Sequence, residues 1–363
     1  MIKYLGSKRL LVPTICSMAV AAGARTAVDL FTGTTRVAQA LKRAGIFVTA
    51  SDLASYSQVF SDTYIATDAE QVNLGELRDA IARLNALPGK AGYFTQTFCV
   101  DANFLQPKNG ERVDAIRDAI EDLRASWMYP VLLTSLVEAA DRVDSTTGMQ
   151  MAYLKHWAPR SFNDLELRVP ELIGGPGATV PGDAMEVVDA LPNVDVMYLD
   201  PPYNQHRYFT NYHIWETLVR WDDPPAYGIA RKRADARDEA NKSVFNRKRE
   251  MPAALASLIA RAKAEMLLVS YNDEAWISAE QMLGFLSDAG FEEVRMLAFD
   301  NPRYVGAQIG IHNLKGQKVG SVSHLRNLEY IFIAGPKDKV EAAAAAAAQP
   351  AIAAAANPAP STT

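Results

Sequence analysis

In the stretch VDVMYLDPPYNQHRYF, an apolar run from Val194 to Leu199 stops at an acid, two prolines and a tyrosine. Pro202 holds Pro201 in an extended conformation, and neither proline offers a backbone N–H, so the local carbonyls are left as acceptors. Asp200, Pro201, Pro202 and Tyr203 therefore form a stiff display of acceptors beside an aromatic face. A planar amino group conjugated to a heterocycle is a poor nucleophile, because its lone pair is delocalised into the ring. The Asp200 carboxylate and the Pro201 carbonyl can each take one of its N–H groups, with Tyr203 stacked on the ring. Positive charge developing on the nitrogen then meets a preorganised negative group. The plainer reading of the same residues is a turn with a helix-capping aspartate.

Other residues able to do chemistry stand at strand ends. In VDLFTGTTRVA, Gly33 lets the backbone turn tightly and lets a ligand approach the N-terminus of the following helix. A pyrophosphate cradle wants G-x-G-x-x-G, whereas Thr35 stands at the second glycine position and Val37 and Ala38 follow, so the turn suits a ligand without phosphates. Asp52 closes the next strand about 20 residues further on, where an acid accepts hydrogen bonds from ribose hydroxyls or else caps a helix. Asp183, in PGDAM, can accept from an adenine amino group by the same geometry.

Those residues need a sheet to bring them together. Short apolar strands are expected at Thr26–Phe31, Phe47–Asp52, Ala178–Asp183, Val194–Asp200, Glu265–Asn272, Glu293–Asp300 and Leu328–Gly335. Helical patterns fall between them, at about 35–44, 251–264 and 278–290. Seven strands in this order predict an α/β, doubly wound sheet with an antiparallel end. From 61 to 172 the periodicity is helical, with Val113, Ile116, Ile120 and Leu123 on one face, so this stretch reads as a mainly helical insertion. It divides the sheet domain into residues 1–60 and 173–336. Residues 337–363, rich in Ala and Pro without larger apolar side chains to bury, read as a disordered tail.

The chain's 363 residues, 49% of them hydrophobic, suffice for a large buried core. With 42 acidic against 37 basic residues the net charge is −5, so the whole-chain balance carries no nucleic-acid signature and any such partner must be sought in patches. Cys16 and Cys99 are too few for a disulfide framework or a metal site, which fits a reducing cytoplasm. Lys8-Arg9 followed by LLVPTICSMAVAAGA mimics a secretory signal, but the run contains Pro13 and is short of the ~20 apolar residues that span a membrane. An amphipathic first helix is the better reading, and no membrane partner is expected.

Asp-Pro-Pro-Tyr, KYLGSK at Lys3 to Lys8 and DLFTGTTRVA together resemble the Dam-type class of adenine-N6 DNA methyltransferases, which use S-adenosylmethionine. The order of N-terminal motif, glycine turn, DNA-recognition insertion and D-P-P-Y is reproduced over about residues 1–335. The resemblance implies a Rossmann-like methyltransferase sheet, S-adenosylmethionine as methyl donor without a metal, double-stranded DNA as partner, and a companion restriction endonuclease as a further partner to look for. It places Tyr4, Lys8, Asp29, Phe31, Gly33, Asp52, Asp183 and Asp200 at the cofactor, with Asp200, Pro201, Pro202 and Tyr203 around a flipped adenine. Tyr271 or Asn272, in VSYND, is expected to line the base pocket. Thr35 is the departure from the family pattern.

DNA contacts are expected as local positive charge. Arg231–Arg249 holds eight Lys/Arg against three Asp/Glu, and offers Arg231, Lys232, Arg233, Arg247, Lys248 and Arg249, unless it is merely a solvated loop. A glycine-rich hairpin at Asn301–Asn327 offers Arg303, Lys315 and Lys318, and a helix start in the insertion offers Lys108, Asn109 and Arg112. Three other readings stay open: cytosine-N4 methylation, a nicotinamide-dependent oxidoreductase on the first βαβ unit, and a DNA-binding protein without catalysis.

Overall fold

Apolar strands with no polar face are stable only when helices cover both sides, and that is how the chain folds. The computed structural model describes residues 2–4, 8–151, 153–154, 156–203, 207–302, 311–312, 318–320 and 326–348. Strands β1 (Thr26–Asp29), β2 (Phe47–Asp52), β3 (Gly177–Pro181), β4 (Val194–Leu199), β5 (Ala264–Asn272), β6 (Glu293–Pro302) and β7 (Arg326–Gly335) form one sheet in the order β3-β2-β1-β4-β5-β7-β6. The first five are parallel, while β7 runs antiparallel between β5 and β6. Strand order reverses between β1 and β4, which creates a crevice at their carboxyl ends.

Side chains alternate across the sheet with period two. Val196 and Tyr198 of β4 face a cluster that includes Ile15 of α1 (Val12–Ala21) and Leu41 of α2 (Arg36–Arg43). Met197 and Leu199 face the opposite cluster, with Leu255 of α8 (Met251–Arg261) and Leu286 of α9 (Ala279–Asp288). Each fully buried side chain of this kind contributes roughly 1.5–3 kcal/mol, so a charge at these positions would break the layer.

Helices α3 (Ser55–Ser61), α4 (Leu74–Asn85), α5 (Pro107–Glu121) and α6 (Met128–Val143) lie between β2 and β3 in sequence. Val113, Ile116 and Ile120 are buried and Leu123 half-buried, as their spacing predicts. These helices share one hydrophobic cluster with Val48 and Ala50 of β2 and with Trp215 of α7 (His213–Arg220). The α7 carboxylate of Glu216 accepts the backbone N–H of Ser55 at 3.0 Å and so fixes the start of α3 after β2. These helices are thereby held to the sheet by packing, and α3 by capping as well.

The tail expectation needs correction: residues 337–347 are helical, as α10 (Lys337–Ala347). Alanine is the strongest helix former, and its small side chain lets α10 approach α1 closely enough to bury Val340 and Ala343. Residues 349–363 lie outside the described residues. Strand β3 ends at Pro181 rather than Asp183, because Gly182 turns the chain with φ 147°.

Candidate active site

The carboxyl ends of β1, β2, β3 and β4 open onto a cavity of about 1100 Å³, counting its open mouth. Tyr4, Lys8, Asp29, Phe31, Gly33, Asp52, Asp183 and Asp200 all line it, and Pro202 joins them. Residues from four strand ends and the N-terminal segment thus converge at the point where strand order reverses.

Gly33 turns with φ 52°, a conformation that disfavours a side chain. A Cβ there would stand 3.1 Å from Cε1 of Tyr4, so the ring of Tyr4 closes over the turn. Tyr4 stacks on Tyr212 with ring centres 4.6 Å apart and on Tyr208 at 5.3 Å, which fixes the N-terminal segment against the chain that follows β4. Thr35 takes the left-handed conformation, φ 61°, that a glycine would hold with less strain. That conformation costs roughly 1–2 kcal/mol for an L-residue. The Thr35 hydroxyl offsets it by donating to the Thr34 carbonyl at 2.7 Å and accepting from Gln39 Nε2 at 2.8 Å. The departure in the glycine turn is therefore accommodated locally, without changing the backbone path.

Asp52 accepts the Gly33 N–H at 2.8 Å and the Ala54 N–H at 3.0 Å, so one carboxylate shapes the glycine turn and the chain entering α3. Burial pushes its pKa up, while hydrogen bonds from those two N–H groups act against the rise. Asp183 caps the helical turn Ala184–Val187 by accepting the Met185 N–H at 2.8 Å, yet still borders the cavity. Asp29 accepts from the Thr32 hydroxyl and the Ala38 N–H through Oδ2, and its buried Oδ1 has no partner among the described residues. Burial carries the Asp29 carboxyl up to about 7.

Lys8 is buried between two acids, with Nζ 3.4 Å from Asp200 Oδ1 and 2.9 Å from Glu329 Oε2. Burial alone would lower the ammonium pKa, but the carboxylates of Asp200 and Glu329 hold it well above the ordinary lysine value. Asp200 is pushed up to about 6, first by burial and further by Glu329, with Lys8 opposing. The Tyr203 ring sits 5.6 Å from Lys8 Nζ and meets the buried Tyr271 ring edge-on at 5.8 Å. Tyr271 therefore buttresses Tyr203. Asn272 is buried and accepts the Glu274 N–H.

Several residues at the site escape a reading of the sequence. Glu329 is a lone acid in an apolar strand, and such a charge signals a buried partner without saying which one. Asn241, Ser243, Phe245 and Asn246 border the cavity from within the basic stretch 231–249, and Phe245 meets Phe31 edge-on at 5.2 Å. That stretch is accordingly part of the cavity wall. Arg36 and Arg207 also border it.

The candidate DNA contacts separate by burial. Arg233 is buried and bonds Asp222 and Asp235 through its guanidinium at 2.7–3.0 Å, which makes it a structural tie and corrects its reading as a phosphate contact. Asn109 is buried and joins the backbone of Asn163 and Leu165, so it too is corrected. Arg112 donates to the carbonyls of Leu165, Leu87 and Asn85, and Lys108 pairs with Asp164, binding the segment after α6 to α4 and α5. Arg231 pairs with Asp101, and Arg247 with Glu239 and Glu250. Lys232 is half-buried, whereas Lys248 and Arg249 are exposed. Arg303 and Lys315 lie outside the described residues, and of Lys318 only the backbone, in a short ribbon with Ile311–His312, is described.

A family model described as the D12 class N6 adenine-specific DNA methyltransferase matches residues 4–283. The chain is 31% identical over 319 residues to the Type II methyltransferase M.NlaIII of Neisseria lactamica, covering 84% of this chain and 89% of that one. It is 30% identical over 306 residues to the modification methylase StsI of Streptococcus sanguinis, covering 79% of this chain. The chain spans about half of that longer relative, 46%. Among solved structures, magnesium protoporphyrin IX methyltransferase from Synechocystis PCC 6803 with bound SAM aligns at 9% identity and a TM-score of 0.34, over 90% of this chain and 79% of that one. That likeness is too loose to carry an argument.

Proposed function

We propose, for a chain that belongs to the D12 class of N6 adenine-specific DNA methyltransferases, that it moves the methyl group of S-adenosylmethionine to the N6 amino group of an adenine flipped out of duplex DNA. The observation that carries this reading is the single cavity in which Tyr4, Lys8, Asp29, Asp52, Asp183, Asp200 and Pro202 meet.

The cavity suits this donor. Its four aspartates outnumber Lys8, Arg36 and Arg207, so it favours a ligand with a sulfonium and an ammonium over an anionic pyrophosphate. The unpartnered Asp29 Oδ1 can take the ammonium N–H, which would lower the Asp29 pKa on binding. Asp52 keeps free lone pairs for ribose hydroxyls, and Asp183 for an adenine amino group. The Phe31 and Phe245 rings offer an apolar wall. Bound S-adenosylmethionine supplies an electrophilic methyl group. The same charge balance weighs against the nicotinamide reading, whose cofactor carries two phosphates.

The chain's own residues then do the positioning. Tyr203, braced by Tyr271, stacks on the extruded base, and extrusion costs a few kcal/mol. The Asp200 carboxylate and the Pro201 carbonyl each accept one N–H of the target amine, holding the nitrogen in line for direct transfer. Developing charge on that nitrogen is stabilised by Asp200, which must be ionised to act. Exposed Lys248 and Arg249, with Arg207 at the rim, hold DNA phosphates, and the helical stretch 61–172 reads the sequence. Action as the modification member of a restriction–modification pair fits this reading.

Incubation of unmethylated duplex DNA with the protein and S-adenosylmethionine, followed by digestion to nucleosides and mass spectrometry, tests it. N6-methyldeoxyadenosine is expected. Finding N4-methyldeoxycytidine alone would sink the proposal in favour of the cytosine reading.

A further inference from the structure

Glu329 is delivered to the site by strand direction. β7 runs against β5, so its first residues arrive at the edge where the parallel strands end, and Glu329 lies opposite Asn272 at the carboxyl end of β5. On its other side it pairs in register with Phe299 of β6, which fixes its height at the edge. From there its carboxylate approaches Lys8 more closely, at 2.9 Å, than Asp200 does at 3.4 Å.

A buried lysine beside a single carboxylate would make a neutral pair and take up an acceptor position of that carboxylate. With two carboxylates around one ammonium the cluster keeps a net charge of −1, the sign needed to meet positive charge on a target nitrogen. We propose that Glu329 is a positioning residue for methyl transfer: it draws Lys8 away from Asp200 and leaves the Asp200 carboxylate free to accept from the target amine. This rests on the methyl-transfer reading above and adds to it the group that keeps Asp200 available.

The charged and titratable groups facing Asp200 are Lys8 from the N-terminal segment, Asp29 from β1, Tyr198 from β4, Tyr203 and Tyr208 after β4, and Glu329 from β7. Glu274, after β5, acts on Tyr203. Of these, Glu329 raises the Asp200 pKa and Lys8 lowers it, so neutralising Glu329 makes Asp200 a stronger acid while letting Lys8 bind it more tightly.

The test is Glu329→Gln, nearly equal in size, beside Glu329→Asp. Single-turnover methyl transfer to duplex DNA should slow about tenfold or more in Glu329→Gln, because an acceptor preorganised for the transition state is now engaged by Lys8. Affinity for S-adenosylhomocysteine should be retained, and Glu329→Asp should restore part of the rate. The acidic limb of the pH–rate profile should move to lower pH, as should the Asp200 carboxyl titration followed by carbon-13 NMR, assigned with Asp200→Asn. A rate and a titration both unchanged in Glu329→Gln would overturn the inference. Should the wild-type protein transfer no methyl group, the functional reading fails, and an unmoved carboxyl titration would still overturn the role of Glu329.

Discussion

Lys8 Nζ and Asp200 Oδ1 stand 3.4 Å apart, one from the N-terminal segment before α1 and the other from the end of β4. The contact joins the motif that opens the chain to the motif that ends its central strand. It makes the loss of either partner visible at the other.

Asp200→Ala should reduce methyl transfer by a factor of roughly 10³ or more, since it removes both an amine acceptor and the charge that meets the developing cation. Isothermal titration with S-adenosylhomocysteine should still detect binding through Asp29, Asp52 and Asp183. In the wild type, transfer should weaken as pH falls through about 6, where Asp200 takes up a proton. Transfer that survived Asp200→Ala would refute the mechanism.

Lys8→Met should lower thermal stability, because it leaves the carboxylates of Asp200 and Glu329 without the ammonium between them. Removing one partner from a buried ion pair costs about 3–5 kcal/mol. The loss should be smaller near pH 5 than at pH 8, since a protonated Asp200 no longer repels Glu329. Thermal unfolding at the two pH values measures the difference, and equal losses would argue against this charge balance.

Asp29 makes the ligand-free protein sensitive to pH in a defined direction. Its folded pKa of about 7 lies above the ordinary 3.8, so the native state binds this proton more tightly than the unfolded chain does. The stability this proton provides is complete below pH 3.8 and is lost as pH rises to about 7. Asp29→Asn should flatten that slope and raise the melting temperature at pH 8, while weakening S-adenosylhomocysteine binding. Unfolding curves across pH 4–8 should show a steeper slope in the wild type than in Asp29→Asn, where Asp200 and Asp141, each raised to about 6, supply what remains.

Within the basic stretch, Arg233→Ala should destabilise the fold by roughly 1–3 kcal/mol, by emptying the space of a buried guanidinium and removing its bonds to Asp222 and Asp235, which keep Arg220 as a partner. It should leave the salt dependence of DNA binding unchanged at temperatures where the variant is folded. Lys248→Ala with Arg249→Ala should do the opposite, keeping the melting temperature and flattening the plot of log affinity against log salt by about 1 for each phosphate no longer neutralised. Fluorescence anisotropy with a labelled duplex distinguishes them, and an unchanged salt slope in the double variant would remove Lys248 and Arg249 from the interface.

Gly33→Ala should impair the cofactor pocket from the backbone outwards. A side chain at φ 52° is strained by roughly 1–2 kcal/mol, and its Cβ would press on the Tyr4 ring 3.1 Å away. Weaker S-adenosylhomocysteine binding is expected, with a smaller loss when Tyr4→Ala is added. Independent, additive losses would show that the ring and the turn do not act on each other.

Much of this architecture is written in local pattern. Apolar strands too continuous for a one-faced sheet announced burial on both sides, and acids at their ends, Asp52 and Asp200, marked the edge where a ligand would sit. Asp-Pro-Pro-Tyr was legible as a stiff display of acceptors in four consecutive residues, because backbone restriction by proline is a local property.

Charge patterns misled where long-range partners decided the outcome. Arg233 looked like its neighbours Arg231 and Lys232 until the fold buried it between Asp222 and Asp235. Asn109 opened a helix as an exposed contact would, yet its amide bonds the segment after α6. The alanine run after Pro336 lacked large apolar side chains, and only the shape of α1 let such small residues dock.

The sequence by itself determined where the strands lie along the chain, the stiff display of acceptors from Asp200 to Tyr203 and the departure from glycine at Thr35, since each follows from neighbouring residues. Only the tertiary structure decided that Lys8 and Glu329 meet. One precedes the first helix and the other belongs to the last strand, and only a sheet whose seventh strand runs backwards places both carboxylates around one ammonium.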